Sequence, residues 1–252
     1  MSRKKAGSIL ILLLEIILSL GFLSLIVQIC IYTYTSERWK DAIIALTPQA
    51  IILISAIVSQ IILVARHRAL SQEGNLIPIL FLFIILQNIT LLPIFYQVTG
   101  WMILPPAAIL ALGRFSILTA AVLFVFSSIL YYGTNMSRIW LYIAFSIGCC
   151  AFISIIIPSN TNIWVSKISI STSYDAYLHI AVIMLLAAGA LTYLVATIKD
   201  RATHKITRAL SFILLMAGNY ISLAASIVPA AISSVLFIAG TVLLVTSSKD
   251  TF

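Results

Sequence analysis

Residues 8–32 read SILILLLEIILSLGFLSLIVQICIY, and Glu15 is the single charged side chain among them. As a helix rising 1.5 Å per residue, the stretch is about 37 Å long, enough for a hydrocarbon core of about 30 Å. Arg3, Lys4 and Lys5 precede it, as basic residues precede a signal peptide. The run is longer than a signal core, however, is interrupted by Glu15, and is followed by no small-residue cleavage site. The expectation is a retained first helix that holds the N-terminus in the cytoplasm.

The same criterion, about 20 mostly apolar residues, finds seven more segments: 42–64, 76–96, 107–132, 139–158, 176–197, 208–228 and 230–247. The last two form one apolar stretch of about 40 residues, too long for a single crossing. Pro229 lacks a backbone donor and clashes with the preceding turn, so a tight hairpin is expected there. The fold class is therefore an all-α polytopic transmembrane bundle. It has eight spans, or seven with a re-entrant end, and both termini lie in the cytoplasm.

Composition supports that class. The 252 residues are 62% hydrophobic and only 9% charged, against about 25% charged in a soluble domain. Mean hydropathy is +1.15. A water-soluble globule cannot hide so much apolar surface, and a disordered chain would not contain so much Ile, Leu, Val and Phe. The net charge of +8 is spread over short loops rather than gathered on one face, so nucleic acid is not an expected partner. It reads as the cytoplasmic bias of a membrane protein. With the N-terminus inside, Arg3, Lys4, Lys5, Arg66, Arg68, Arg138, Lys199, Arg201, Lys205, Arg208 and Lys249 fall inside, and only Arg38, Lys40 and Lys167 fall outside. Trp39, Trp101, Trp140 and Trp164 fall at predicted interfaces, where an indole can be half apolar and half wet. A multi-pass protein of the cytoplasmic or inner membrane is expected, with lipid as its constant partner.

The loops are short. The longest, 159–175, mixes Ser, Thr and Asn with Ile163, Trp164, Ile168 and Ile170, as a short strand or surface-lying segment would. None is long enough for a soluble domain, so any output or energy supply would come from a separate protein. The chain is expected to be a single membrane domain, 1–252. A shift of 131 residues lays the first three span starts near the fifth, sixth and seventh, Phe81 on Phe212 and Asn88 on Asn219. That register suggests two four-helix halves, 1–132 and 139–247, in the same orientation.

Charged residues inside a membrane are rare and become functional candidates by default. Glu15 lies about 11 Å into the first span and Arg114 about 11 Å into the fourth, from opposite ends. In a core of about 30 Å their depths differ by about 8 Å, within reach of two long side chains. Two readings follow: an intramembrane ion pair or gate, or two residues snorkelling to their own interfaces. His179 is the one span histidine, and Asp175 shares its helix face at i−4.

Cys30, Cys149 and Cys150 lie within apolar runs and read as small hydrophobes. Neither haem nor metal ligation is expected, because no ligand spacing exists and the acids do not cluster. No span contains a lysine for a Schiff base. Neither a cofactor nor an enzyme activity is expected, since no nucleophile–base pair is visible. Asn88-Ile89-Thr90 and Asn135-Met136-Ser137 match a glycosylation sequon, but at mid-membrane and cytoplasmic positions where it carries no meaning.

Four amides stand at mid-depth: Gln49, Gln87, Asn88 and Asn219. Such groups need partners. They either join helices, at about 0.6 kcal/mol each, or line a solute path. Pro48, Pro78 and Pro93 would bend the second and third helices beside them, an arrangement that transporter sites also use. Gly218, Ser222 and Ser226 recur at four-residue spacing and predict a flat face for close packing by another helix, within the chain or between subunits. Ala187, Ala188, Gly189 and Ala190 do the same in the sixth span. The leading functional expectation is a non-enzymatic transporter or permease-like subunit, with the four amides as its polar layer and Glu15 and Arg114 as its gate. The alternative is a sensory or scaffold subunit that acts through a partner protein, using the Gly218 face and the basic 198–208 loop. Beyond lipid, the expected partner is another protein or a second copy in a homo-oligomer.

Overall fold

Apolar length dictates the elements. In a computed structural model the described residues are 3–34, 39–65, 76–133, 138–157, 175–199, 203–223 and 227–247. They form α1 (Arg3–Thr33), α2 (Trp39–Ala65), α3 (Ile77–Leu86), a 3-10 turn (Gln87–Thr90), α4 (Leu91–Thr99), α5 (Pro106–Tyr131), α6 (Ile139–Ile156), α7 (Asp175–Lys199), α8 (Thr203–Ile221) and α9 (Ile227–Ser247). α3, the turn and α4 run on as one rod, Ile77–Thr99. No strand occurs among the described residues. The surface-strand expectation falls in 159–174, and Trp164 and Lys167 with it, outside the described residues.

Among the described residues, seven helices are long and apolar enough to cross a membrane, a set compatible with a polytopic membrane protein. α8 does not belong to that set. It starts at Thr203, five residues before the expected 208, so His204, Lys205 and Arg208 occupy its first two turns. Its end differs too. α8 ends at Ile221 and α9 starts at Ile227, so Pro229 is the third residue of α9. A proline in the first helical turn is tolerated because no intrahelical acceptor awaits its missing N–H. It therefore marks the start of a helix here rather than the turn.

The helices close a ring in the order α1, α2, α9, α8, α7, α5, α3–α4 and back to α1, with α6 packed chiefly on α5. α1 buries one stripe, Glu15, Ser19, Phe22, Ile26, Ile29 and Thr33, at spacings of four and three, and exposes Leu13, Ile17, Leu20 and Ile31. That is the seam of an antiparallel bundle helix, and it lies against α2, α3 and α4. Tyr193 is fully buried among Phe124, Tyr131 and Phe212, and its hydroxyl lies 2.8 Å from Ser127 Oγ.

α8 and α9 touch backbone to backbone. A Cβ on Gly218 would lie 2.7 Å from the Phe237 backbone nitrogen, and one on Gly240 would lie 2.6 Å from that of Leu215. Small residues permit this approach. Gly218 thus meets a helix of its own chain and is not a free subunit face. Ser222 donates instead to the Asn219 carbonyl at 2.6 Å, capping the end of α8. Ser226 lies outside the described residues. Gly189 admits the Phe124 ring, which a Cβ there would meet at 2.6 Å.

Candidate functional site

The site begins with a backbone defect in the most buried span. Pro93 has no N–H to return to the Ile89 carbonyl, and the helix tightens to 3-10 geometry over Gln87–Thr90 before it resumes. Tightening shifts local hydrogen bonds from i−4 to i−3, so the Leu91 N–H bonds the Asn88 carbonyl. Side chains supply further donors to this stretch. Asn88 Nδ2 donates to the Ile85 carbonyl at 3.1 Å and the Ile84 carbonyl at 3.4 Å, and Thr90 Oγ1 donates to the Gln87 carbonyl at 3.1 Å.

Gln87 reaches across the bundle. Asn219 Nδ2, from the last turn of α8, donates to Gln87 Oε1 at 3.0 Å, and both residues are only 5% exposed. Two of the four expected amides therefore meet. Asn88 turns back on its own helix. Gln49, one residue beyond the buried Pro48 of α2, is half-buried, and its Oε1 has no hydrogen-bond partner. The four do not form one polar layer.

Glu15 and Arg114 do not pair. Arg114 is buried and donates from Nη1 to the Ile157 carbonyl at 3.0 Å. Ile157 is the C-cap of α6, where carbonyls lack intrahelical donors and a cation is favoured by the helix dipole. The arginine reaches a helix end and not Glu15. Glu15 is 0% exposed, and neither carboxylate oxygen has a hydrogen-bond partner; the same holds for Ser19 Oγ one turn on.

His179 lies 3.3 Å from the Tyr220 hydroxyl, joining α7 to α8. The Asp175 side chain expected beside it lies outside the described residues. No group of three metal-ligating side chains occurs among the described residues.

Gln60 and Ser19 are among the buried polar residues that escaped the sequence reading. Gln60 is buried and donates to the Ile77 carbonyl at 3.3 Å, tying α2 to the start of α3. Ser19 was legible in principle, since it continues the four-and-three spacing that runs from Glu15 to Thr33.

Compared with protein-family models, curated proteins and solved structures, the chain shows no significant match.

Proposed function

We propose that this chain is a polytopic membrane protein, N-terminus cytoplasmic, that carries a small polar solute along the seam between the α3–α4 rod and α8. The observation that carries the reading is the Gln87–Asn219 bond at the 3-10 break. Interrupted helices with polar groups near the midplane are how carriers bind solutes within lipid, because irregular backbone is tolerated there only when buried in protein or lining a cavity. In this reading the pair is a latch. It satisfies two costly amides while the path is closed, and a solute with its own donors and acceptors replaces it when the path opens. The fold alone does not distinguish functions, so the assignment rests on this site.

A second reading, a scaffold or sensory subunit, draws on α6. This helix exposes Trp140, Leu141, Tyr142, Phe145 and Phe152, and a shallow apolar groove runs past Gly148 and Cys149. The Gly218 face is taken by α9, so a partner would dock elsewhere.

Purification in mild detergent with mass spectrometry of co-eluting proteins separates the two. The carrier reading expects the chain to elute alone or as a homo-oligomer. A stoichiometric partner protein would favour the scaffold.

A further inference from the structure

Glu15 and Ser19 sit one turn apart on the buried seam of α1, both 0% exposed. Their three side-chain oxygens have no hydrogen-bond partner. Buried polar groups are almost always satisfied, so three orphans side by side need an explanation. A buried charge needs a counter-charge or several donors, and among the described residues the helices packed chiefly on α1 offer Glu15 no counter-charge.

Those helices are α2, α3 and α4. In α2 the ionisable residues are Lys40 and Asp41, at the end far from Glu15. α3 has none, and α4 has only Tyr96, also at the far end. On α1 itself Cys30 is about four turns away, and Lys5 is about three turns before Glu15. The short connection between Thr33 and Trp39 makes α1 and α2 antiparallel neighbours. Glu15 is about 27 Å back from that connection, level with the Ala56–Gln60 stretch of α2. The side chains there are uncharged, and Ser59 and Gln60 already donate to backbone carbonyls.

We propose that Glu15 and Ser19 form a buried proton-binding site between α1 and its neighbouring helices. A proton neutralises the single negative charge without a coordination shell. A hard metal cation would want about six oxygens, and three are on offer. The carboxyl O–H and the Ser19 hydroxyl share one helix face at i, i+4 spacing, so a rotamer change joins them. The inference requires only burial and does not depend on the solute path at Gln87. The two sites lie on different helices, and their tests fail independently.

The test is carbodiimide labelling of the full chain in mild detergent. N,N′-dicyclohexylcarbodiimide enters the apolar interior, where the O–H of a neutral carboxyl adds across one C=N bond. The O-acylisourea rearranges to a stable N-acylurea with no atom lost. Peptide mass spectrometry is expected to find Glu15 modified at neutral pH, several-fold less at alkaline pH, and equally in sodium and choline chloride. Glu15→Gln should leave that peptide unlabelled while the gel-filtration profile stays unchanged. The proposal is overturned if Glu15 stays unlabelled in the folded chain but labels after unfolding in SDS. It is likewise overturned if labelling does not vary with pH, or if sodium protects Glu15, which would assign the site to a metal cation.

Discussion

Gln87 Oε1 accepts a 3.0 Å hydrogen bond from Asn219 Nδ2 across the interior of the bundle. The two residues are 132 positions apart and come from a rod broken at the 3-10 turn and from the last turn of α8. Removing one partner leaves the other amide buried and unsatisfied, whereas removing both leaves only apolar contact. Asn219→Leu is expected to lower stability in detergent by about 1 kcal/mol. In the double-mutant cycle with Gln87→Leu, the coupling energy should be about 0.6 kcal/mol and no more than about 1.7, the range found for side-chain hydrogen bonds within membranes. Graded SDS unfolding of the four proteins measures it, and zero coupling would show that the pair contributes nothing.

Gly218→Ala places a methyl group 2.7 Å from the Phe237 nitrogen and 2.9 Å from the Ser233 carbonyl oxygen. These are backbone atoms that cannot rotate away, so α8 and α9 must separate, at a cost of about 1–3 kcal/mol. Gly21→Ala on α1 has nothing within 4 Å of the new Cβ and gains helix propensity of up to about 1 kcal/mol. Thermal melts in detergent should move in opposite directions for the two variants.

Arg114→Leu removes the donor to the Ile157 carbonyl at the end of α6. Hydrogen bonds from charged donors contribute about 1.5–3 kcal/mol, and a loss of that size is expected. Because Glu15 does not touch Arg114, Glu15→Gln combined with Arg114→Leu should be additive within about 0.5 kcal/mol. A larger coupling would restore the ion pair that the sequence suggested.

Asn88→Leu removes a donor from the Ile84 and Ile85 carbonyls while leaving the Gln87–Asn219 bond in place. A loss of about 1 kcal/mol is expected. Its coupling to Asn219→Leu in SDS unfolding should be smaller than that of Gln87→Leu, because Asn88 bonds its own helix.

How much of this was legible in the sequence depends on the physics each feature obeys. Membrane length is a one-dimensional property: the ends of the second to sixth spans fall within three residues of the helices observed, and the first helix starts five residues before its span. The seventh differs because its polar first turns hid its start and because Pro229 suits a helix beginning as well as a helix stop. Side-chain pairing depends on rotation about each helix axis. Gln87 and Asn88 are adjacent, so only one of them could face α8, and the 3-10 turn ahead of Pro93 decides which. Depth alone put Glu15 near Arg114, but it carried no information about the end of α6, whose carbonyl takes the arginine. The inward face of α1 was legible, since the spacing of Glu15, Ser19, Phe22, Ile26, Ile29 and Thr33 marks one stripe.

The most direct test of the carrier reading is access of water to position 87. With Cys30, Cys149 and Cys150 replaced by alanine, the Gln87→Cys variant is exposed in native membranes to a charged, membrane-impermeant thiol reagent. Phe81→Cys, at a fully buried position on the same rod, serves as the dry control. The Gln87→Cys variant is expected to react while the Phe81→Cys variant stays inert, because the amide latch opens to water. A Gln87→Cys variant as unreactive as the control until it is unfolded in SDS would contradict the carrier reading, and would leave Gln87 and Asn219 as a structural tie in a closed bundle.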